Sequence, residues 1–272
     1  MSALIFTLRD TPSQRVDLAA LTPDRLLGLS ESKIAAIELQ TTRVRLCAGD
    51  LFKIRMGEAM QIRFEGGHER FDRVGANMSK GEINVAGDVG IQAGRLMQGG
   101  RLAIDGNAGP WAASGMKAGT ISISGHAGER VGGPLAGETV GMRGGVVVVR
   151  GDAGARAGDR MRRGLIIVEG RTGIHPGSRM IAGTLIVRGR AGPLPGYLMS
   201  RGSIFAMNGS DAVSPTFTDS GVHDLVANSL LASYIQKYSA DVAASLRRPW
   251  RRLIGDMAVI GKGEIFCPSV LD

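Results

Sequence analysis

From residue 81 onward the chain repeats one short pattern: a glycine, then apolar side chains at the second and fourth places after it. The apolar pairs are Ile83/Val85, Leu102/Ile104, Ile121/Ile123, Val147/Val149, Ile166/Val168 and Leu185/Val187. Alternation of period two in aliphatic residues, bounded by glycine, predicts strands with one buried face. The opening glycines are Gly81, Gly100, Gly119, Gly145, Gly164, Gly183 and Gly202, spaced 19, 19, 26, 19, 19 and 19 residues apart. The 26 is one period plus a seven-residue insertion lying within residues 129–144.

A methionine precedes each opening glycine by three residues: Met78, Met97, Met116, Met142, Met161, Met180 and Met199. A side chain that recurs once per period stacks on itself, and a flexible thioether fills an irregular interior well. Burying each is worth roughly 1.5–3 kcal/mol. Between the strands, glycines run in the spacing G-x-x-G-x-x-x-G, as in Gly151/Gly154/Gly158 and Gly170/Gly173/Gly177. Such positions allow φ > 0 or a close backbone approach.

A unit of 19 residues made of strand and glycine turns leaves no room for a crossover helix, which disfavours a βαβ array. Coils stacked by parallel pairing remain. The expected fold is all-β, a right-handed parallel β-helix of about seven coils, on the order of 30 Å long at ~4.8 Å per coil. Residues 59–210 form this Gly-rich unit. Residues 1–58 read as a small α+β cap, with strands in ALIFTL, RVRL and LFKIR and a helix opening at Thr22-Pro23-Asp24. Residues 211–272 read as a helical and tail segment: Leu225, Leu230, Leu231, Tyr234 and Ile235 have helical spacing, ahead of Arg247, Arg248, Arg251 and Arg252.

The outward strand face changes character along the rod. It is polar early (Glu82/Asn84, Thr120/Ser122) and apolar later, at Val146, Val148, Leu165, Ile167, Ile186 and Phe205. An apolar stripe of this size is not left to water. Either the C-terminal helix covers it or it is a partner-facing surface for another subunit.

Composition adds a partner class. Glycine, 41 of 272 residues, is about twice the usual ~7%, and it lacks the every-third spacing of collagen. The net charge is +8, carried by 27 Arg and 6 Lys, together the 33 basic residues. Arginine favours multidentate contact with carboxylate or phosphate, and the charge favours an anionic partner. Two cysteines, Cys47 and Cys267, make neither a disulfide framework nor a metal site. The N-terminus lacks a signal-peptide pattern and no apolar run reaches ~18 residues, so a cytoplasmic location and no membrane partner are expected.

Catalytic candidates are few. His68, His126, His175 and His223 have no metal-ligand spacing, no nucleophile elbow occurs, and the strands lack the carboxylate clusters of carbohydrate-active β-helices. No catalytic residue, no metal and no cofactor bound by this chain are therefore expected. The informative charges form a ladder: Arg150, Glu169 and Arg188 share one repeat position in consecutive coils, with Asp152, Arg171 and Arg190 beside them. Arg156, Arg160, Arg162, Arg163 and Arg179 lie on nearby turns. Such a strip is either a salt-bridged face or a docking site for an anion, with Arg150, Arg156, Arg160, Arg163, Arg171, Arg188 and Arg190 as candidates. Nucleic acid is disfavoured, because no aromatic residues interleave with the strip for base stacking.

The G-x-x-G-x-x-x-G coil with its Met-x-x-Gly step, together with LFKIR, GANMSKGEI and GIHPGSRMIAGTLIVRG, resembles the family of formylmethanofuran dehydrogenase C subunits. The β-helix of that family is related to the C-terminal domain of the glutamate synthase large subunit. The resemblance covers residues 40–210 and implies a structural subunit without catalytic residues of its own. Its implied partners are formyltransferase, amidohydrolase-like and dehydrogenase-like subunits. The family includes a bacterial formyltransferase/hydrolase complex. That complex passes a formyl group from formyl-tetrahydromethanopterin to a methanofuran analogue and releases formate, in formaldehyde oxidation. The Arg-rich, Lys-poor composition leans toward that complex; the alternative is a molybdenum or tungsten dehydrogenase. The resemblance also implies a methanofuran-type cofactor as substrate of the complex, whose glutamyl tail is a candidate anion for the arginine strip.

Overall fold

The computed structural model describes residues 2–269; Met1 and residues 270–272 of the expected end segments lie outside the described residues. The repeat strands pair in parallel, in order, from Glu58–His68 through Glu82–Val89, Arg101–Ile104, Thr120–Ile123, Arg143–Val149, Arg163–Val168 and Thr184–Val187 to Arg201–Ala206. Their register aligns one repeat position with itself: Ile83, Leu102, Ile121, Val147, Ile166, Leu185 and Ile204 are successive partners. All seven are fully buried. A second line of parallel bridges joins Val89, Ala108, Ala127, Ala153 and Thr172 at the turns, so neighbouring repeats meet along more than one line.

The methionines and the opening glycines turn out to be one device. All seven methionines are fully buried. Each thioether methyl sits where a Cβ on the next repeat's glycine would be: Met97 at 2.8 Å for Gly119, Met116 at 2.6 Å for Gly145, Met180 at 2.7 Å for Gly202. These glycines also have φ of +95°, +85° and +108°, a region that Cβ sterics disfavour.

The turn glycines divide by cause. Gly158, Gly177 and Gly196 have φ near +70° (+75°, +68° and +69°). Gly189 does not have positive φ; it is glycine because a Cβ there would lie 2.3 Å from the carbonyl oxygen of Gly170 and 2.5 Å from its carbon. Gly189→Ala is therefore expected to push two coils apart and cost about 1–3 kcal/mol, the usual overpacking penalty. A fall in the thermal midpoint would show it.

Both ends extend the same sheet. At the N-terminal end Ala3–Leu8 runs parallel to Glu58–His68 and antiparallel to Phe52–Arg55. Around it Phe6, Phe52, Phe64 and Phe71 form an aromatic plug with ring centroids 5.0–5.6 Å apart. The helix expected at Thr22-Pro23 is the short Pro23–Leu26 turn. Of RVRL, only its leucine falls in a strand, the two-residue Leu46–Cys47.

The C-terminal segment holds more strand than expected. Lys262–Cys267 returns to pair in parallel with Arg201–Ala206, and Trp250–Gly255 and Thr218–His223 follow it antiparallel. Between them the helices Val226–Ile235 and Ala240–Leu246 lie on the outer apolar face. Val146, Val148, Leu165, Ile167, Ile186 and Phe205 are buried against Ala232, Ile235, Val242, Ala243, Leu246 and Trp250. The partner-facing reading of that stripe is corrected: the chain covers it itself, because these apolar positions on one sheet face match the apolar side of two short helices. Among the described residues no helix is long and apolar enough to cross a membrane.

Candidate functional site

The arginine strip is divided by the fold. Arg150 pairs with Glu169, and its Nη2 also donates to the carbonyl of Tyr238 at 2.9 Å. Ser239 donates to the same Glu169 at 2.7 Å. Arg188 Nη2 lies 3.4 Å from Asp241, and Arg190 Nε donates to Asp211 at 2.6 Å. These three arginines clamp the connection between the covering helices, and the 211 segment, onto the sheet. Arg156, Arg160, Arg163 and Arg171 make no such ion pair among the described residues. The basic cluster after the helices is also spent locally: Arg252 pairs with Glu264, Arg251 lies 3.5 Å from Asp219, and Arg248 stacks 4.3 Å over Trp250.

Sequence reasoning misses the turn face. One outward position per coil carries a side chain at positive φ, including Arg130 (57°), Arg156 (57°) and His175 (59°). A second such position carries Arg160 (49°) and Arg179 (53°). Next to them, Asp159 is fully buried and accepts from Ser178 Oγ at 2.8 Å and Arg179 Nε at 3.0 Å, with Arg179 Nη2 on its other oxygen. His175 stacks on Tyr197 with centroids 5.1 Å apart. Burial, and then the charge of Arg156, holds its pKa below the ordinary histidine value.

The insertion sits on this face. Counting back from Met142, the added residues are 134–140, between Gly133 and Gly141. Glu138 anchors them, accepting from Arg95 Nη2 at 2.7 Å and from the amide of Leu135 at 3.0 Å. A cavity of about 320 Å³ opens between the inserted residues and Arg130, Asp159, Arg160 and Arg179. The hydrogen bond from Arg95 holds the Glu138 carboxyl below the ordinary glutamate range, helped by Leu135 and Arg143 and opposed by burial. A depressed carboxylate pKa contributes stability that is full above the unfolded-state value and is lost as pH falls through the folded one. The loop's amides are therefore expected to lose exchange protection as pH falls below the ordinary glutamate range, ahead of the strands. Hydrogen exchange at matched intrinsic rates would read this.

A second cavity of about 370 Å³, lined by Arg101, Thr120, Ser122, Arg150 and Lys237 among others, opens on the outer sheet face where the polar rungs begin. Acid–base or metal chemistry has little to work with. Among the described residues no three His, Cys, Asp or Glu side chains group to hold a metal. The His126 Nδ1 accepts from the Asp152 amide at 3.0 Å. Cys267 is buried, which pushes its thiol pKa up against the pull of Arg251. What the surface can do is bind anions.

Stacked glycine turns with buried methionines define a class, and the model of the family described as the GXGXG motif matches residues 50–252. Within that class the chain belongs to the family of the formyltransferase/hydrolase complex C subunits. It is 45% identical over 83 residues to the C subunit of the formyltransferase/hydrolase complex Fhc of Methylorubrum extorquens, an alignment taking in 30% of this chain and 31% of that relative. It also superposes, with a TM-score of 0.92 and 42% identity, on a chain in the crystal structure of the formyltransferase/hydrolase complex (FhcABCD) from Methylorubrum extorquens in complex with methylofuran. That superposition covers 98% of this chain and 100% of the other.

Proposed function

We propose that this chain is a structural subunit, without catalytic residues of its own, of a cytoplasmic formyltransferase/hydrolase complex. That assembly would transfer a formyl group from formyl-tetrahydromethanopterin to a methanofuran analogue and hydrolyse it to formate. The observation that carries the reading is the end-to-end superposition on a chain of a complex of the same kind. A rod of about seven right-handed coils over residues 59–210, plugged at one end by aromatic residues and sheathed by its own helices, offers rigid surface rather than a reaction centre. Its partners would be the formyltransferase, amidohydrolase-like and dehydrogenase-like subunits. The methanofuran-type cofactor would be their substrate, and this chain would hold none. Arg156, Arg163 and Arg171, which the fold leaves without carboxylates, would be the part of the strip open to an acidic subunit or a glutamyl tail.

Affinity purification of the chain from its native host, with mass analysis of what accompanies it, tests the proposal. A formyltransferase and an amidohydrolase-like protein are the expected companions. Iron–sulfur and molybdenum or tungsten subunits would replace the reading with a dehydrogenase, and a lone monomer would end it.

A further inference from the structure

The 134–140 insertion breaks an otherwise constant 19-residue period, and its product is a cavity. Two carboxylates belong to that cavity, and both are engaged: Asp159 by Arg179, and Glu138 by Arg95. Arg130 and Arg160 also line it, are only partly exposed, and make no ion pair or side-chain hydrogen bond among the described residues. Two uncompensated guanidiniums therefore face one enclosed space. Partly buried cations without counter-ions are costly unless something negative joins them.

The turn itself does not require arginine at these places. Gly115 holds the position equivalent to Arg160 with φ of +65°, and Gln92 and Leu194 hold the position equivalent to Arg130 with φ of 61° and 56°. Arginine recurs where the insertion closes a space over it. The guanidinium fork matches planar carboxylates in two-point contact. The volume, about 320 Å³, admits a small dianion.

We infer that the cavity beneath residues 134–140 is a binding site for a dicarboxylate, held between Arg130 and Arg160 with the Asp159-braced Arg179 completing the wall. The carboxylates could belong to a free small molecule or to neighbouring acidic side chains of a partner polypeptide; the recognition chemistry is the same. The site is independent of the complex proposed above, because it lies within one chain.

The test is calorimetric titration of the purified full chain with succinate, with acetate as the single-charge control. Wild type should bind succinate in preference to acetate. Arg130→Gln with Arg160→Gln should weaken that binding by about tenfold or more, the usual effect of losing charged hydrogen bonds. Neither residue has a side-chain partner whose loss would unfold the chain, and Arg162→Gln, exposed on the same turn, should bind like wild type. Repeating the titration on the assembled complex separates the sources. Retained binding there identifies a free dicarboxylate, and binding by the lone chain only identifies a partner's acidic side chains in the same place. Failure of wild type to bind succinate, or equal binding by the double variant, would overturn the site. Either result would leave the assembly proposal untouched, since that is read from co-purification.

Discussion

Trp250→Ala is expected to lower the unfolding free energy by about 3–5 kcal/mol, the range for removing a large buried aromatic. Trp250 is fully buried at the junction of both covering helices with the sheet. Its ring meets Phe205 edge-on at 6.0 Å, and Phe205 in turn stacks on Phe266 at 4.6 Å. The indole nitrogen donates to the carbonyl of Leu246 at 3.3 Å, so the same side chain closes the Ala240–Leu246 helix. Removing it opens a cavity against Val242, Ala243 and Leu246 and weakens the clamp over the row Val148, Ile167, Ile186 and Phe205. Two measurements distinguish loss of the cover from loss of the rod. Denaturant titration should show the destabilisation, while a hydrophobic dye should bind the variant before the main transition. Amides of the interior rows from Ile83 to Val168 should keep their exchange protection until that transition. A loss under about 1 kcal/mol would mean that the helices are held chiefly by the Arg150, Arg188 and Ser239 contacts, which surface screening makes the weaker candidates.

The rod is legible in the sequence because each of its positions occurs seven times. Gly, apolar alternation and Met reinforce one another in a repeat, and chance does not reproduce that. The pairing of Met with the following coil's glycine is not legible, since it needs the register of the stack as well as the order of the chain. The last rung escapes for a different reason. Gly263, Ile265 and Cys267 keep the spacing of an opening glycine and its buried alternates, and Met199 packs at Gly263. However, 61 residues separate it from Gly202 (263 minus 202), and no methionine precedes it by three. The arginine ladder reads as a ladder, yet its true partners, Tyr238, Asp241 and Asp211, lie in non-repeating chain where spacing carries no information. The turn-face cluster is hidden for the reverse reason. Arg130, Arg160 and Arg179 are scattered through loops, and only the fold of the insertion brings them to one cavity.

Asp159→Ala is the other change expected to be severe, at about 3–5 kcal/mol, because it removes one partner of a buried ion pair and leaves the other behind. The Asp159 side chain has no exposed surface, against one-third exposure for Arg179. Its position in the repeat explains the geometry. Arg95 and Ser114 occupy the same place in earlier coils, and Arg95 donates to Ser114 at 3.1 Å, just as Ser178 donates to Asp159 one coil further on. A column of polar side chains thus runs up this turn, and Asp159 is its acidic member, braced by the neighbouring coil. Replacing it leaves Ser178 and the guanidinium of Arg179 without an acceptor in a place water reaches poorly. Replacing both partners, Asp159→Leu with Arg179→Met, removes the pair without stranding a charge and should cost much less than Asp159→Ala alone. A double-mutant cycle in urea would therefore show a coupling energy of opposite sign to the single losses, on the order of 2 kcal/mol or more. Near-additive losses instead would mean that Arg179 finds another counter-ion once Asp159 is gone. The nearest carboxylate on the cavity wall is then Glu138, and the loop would have to shift to supply it.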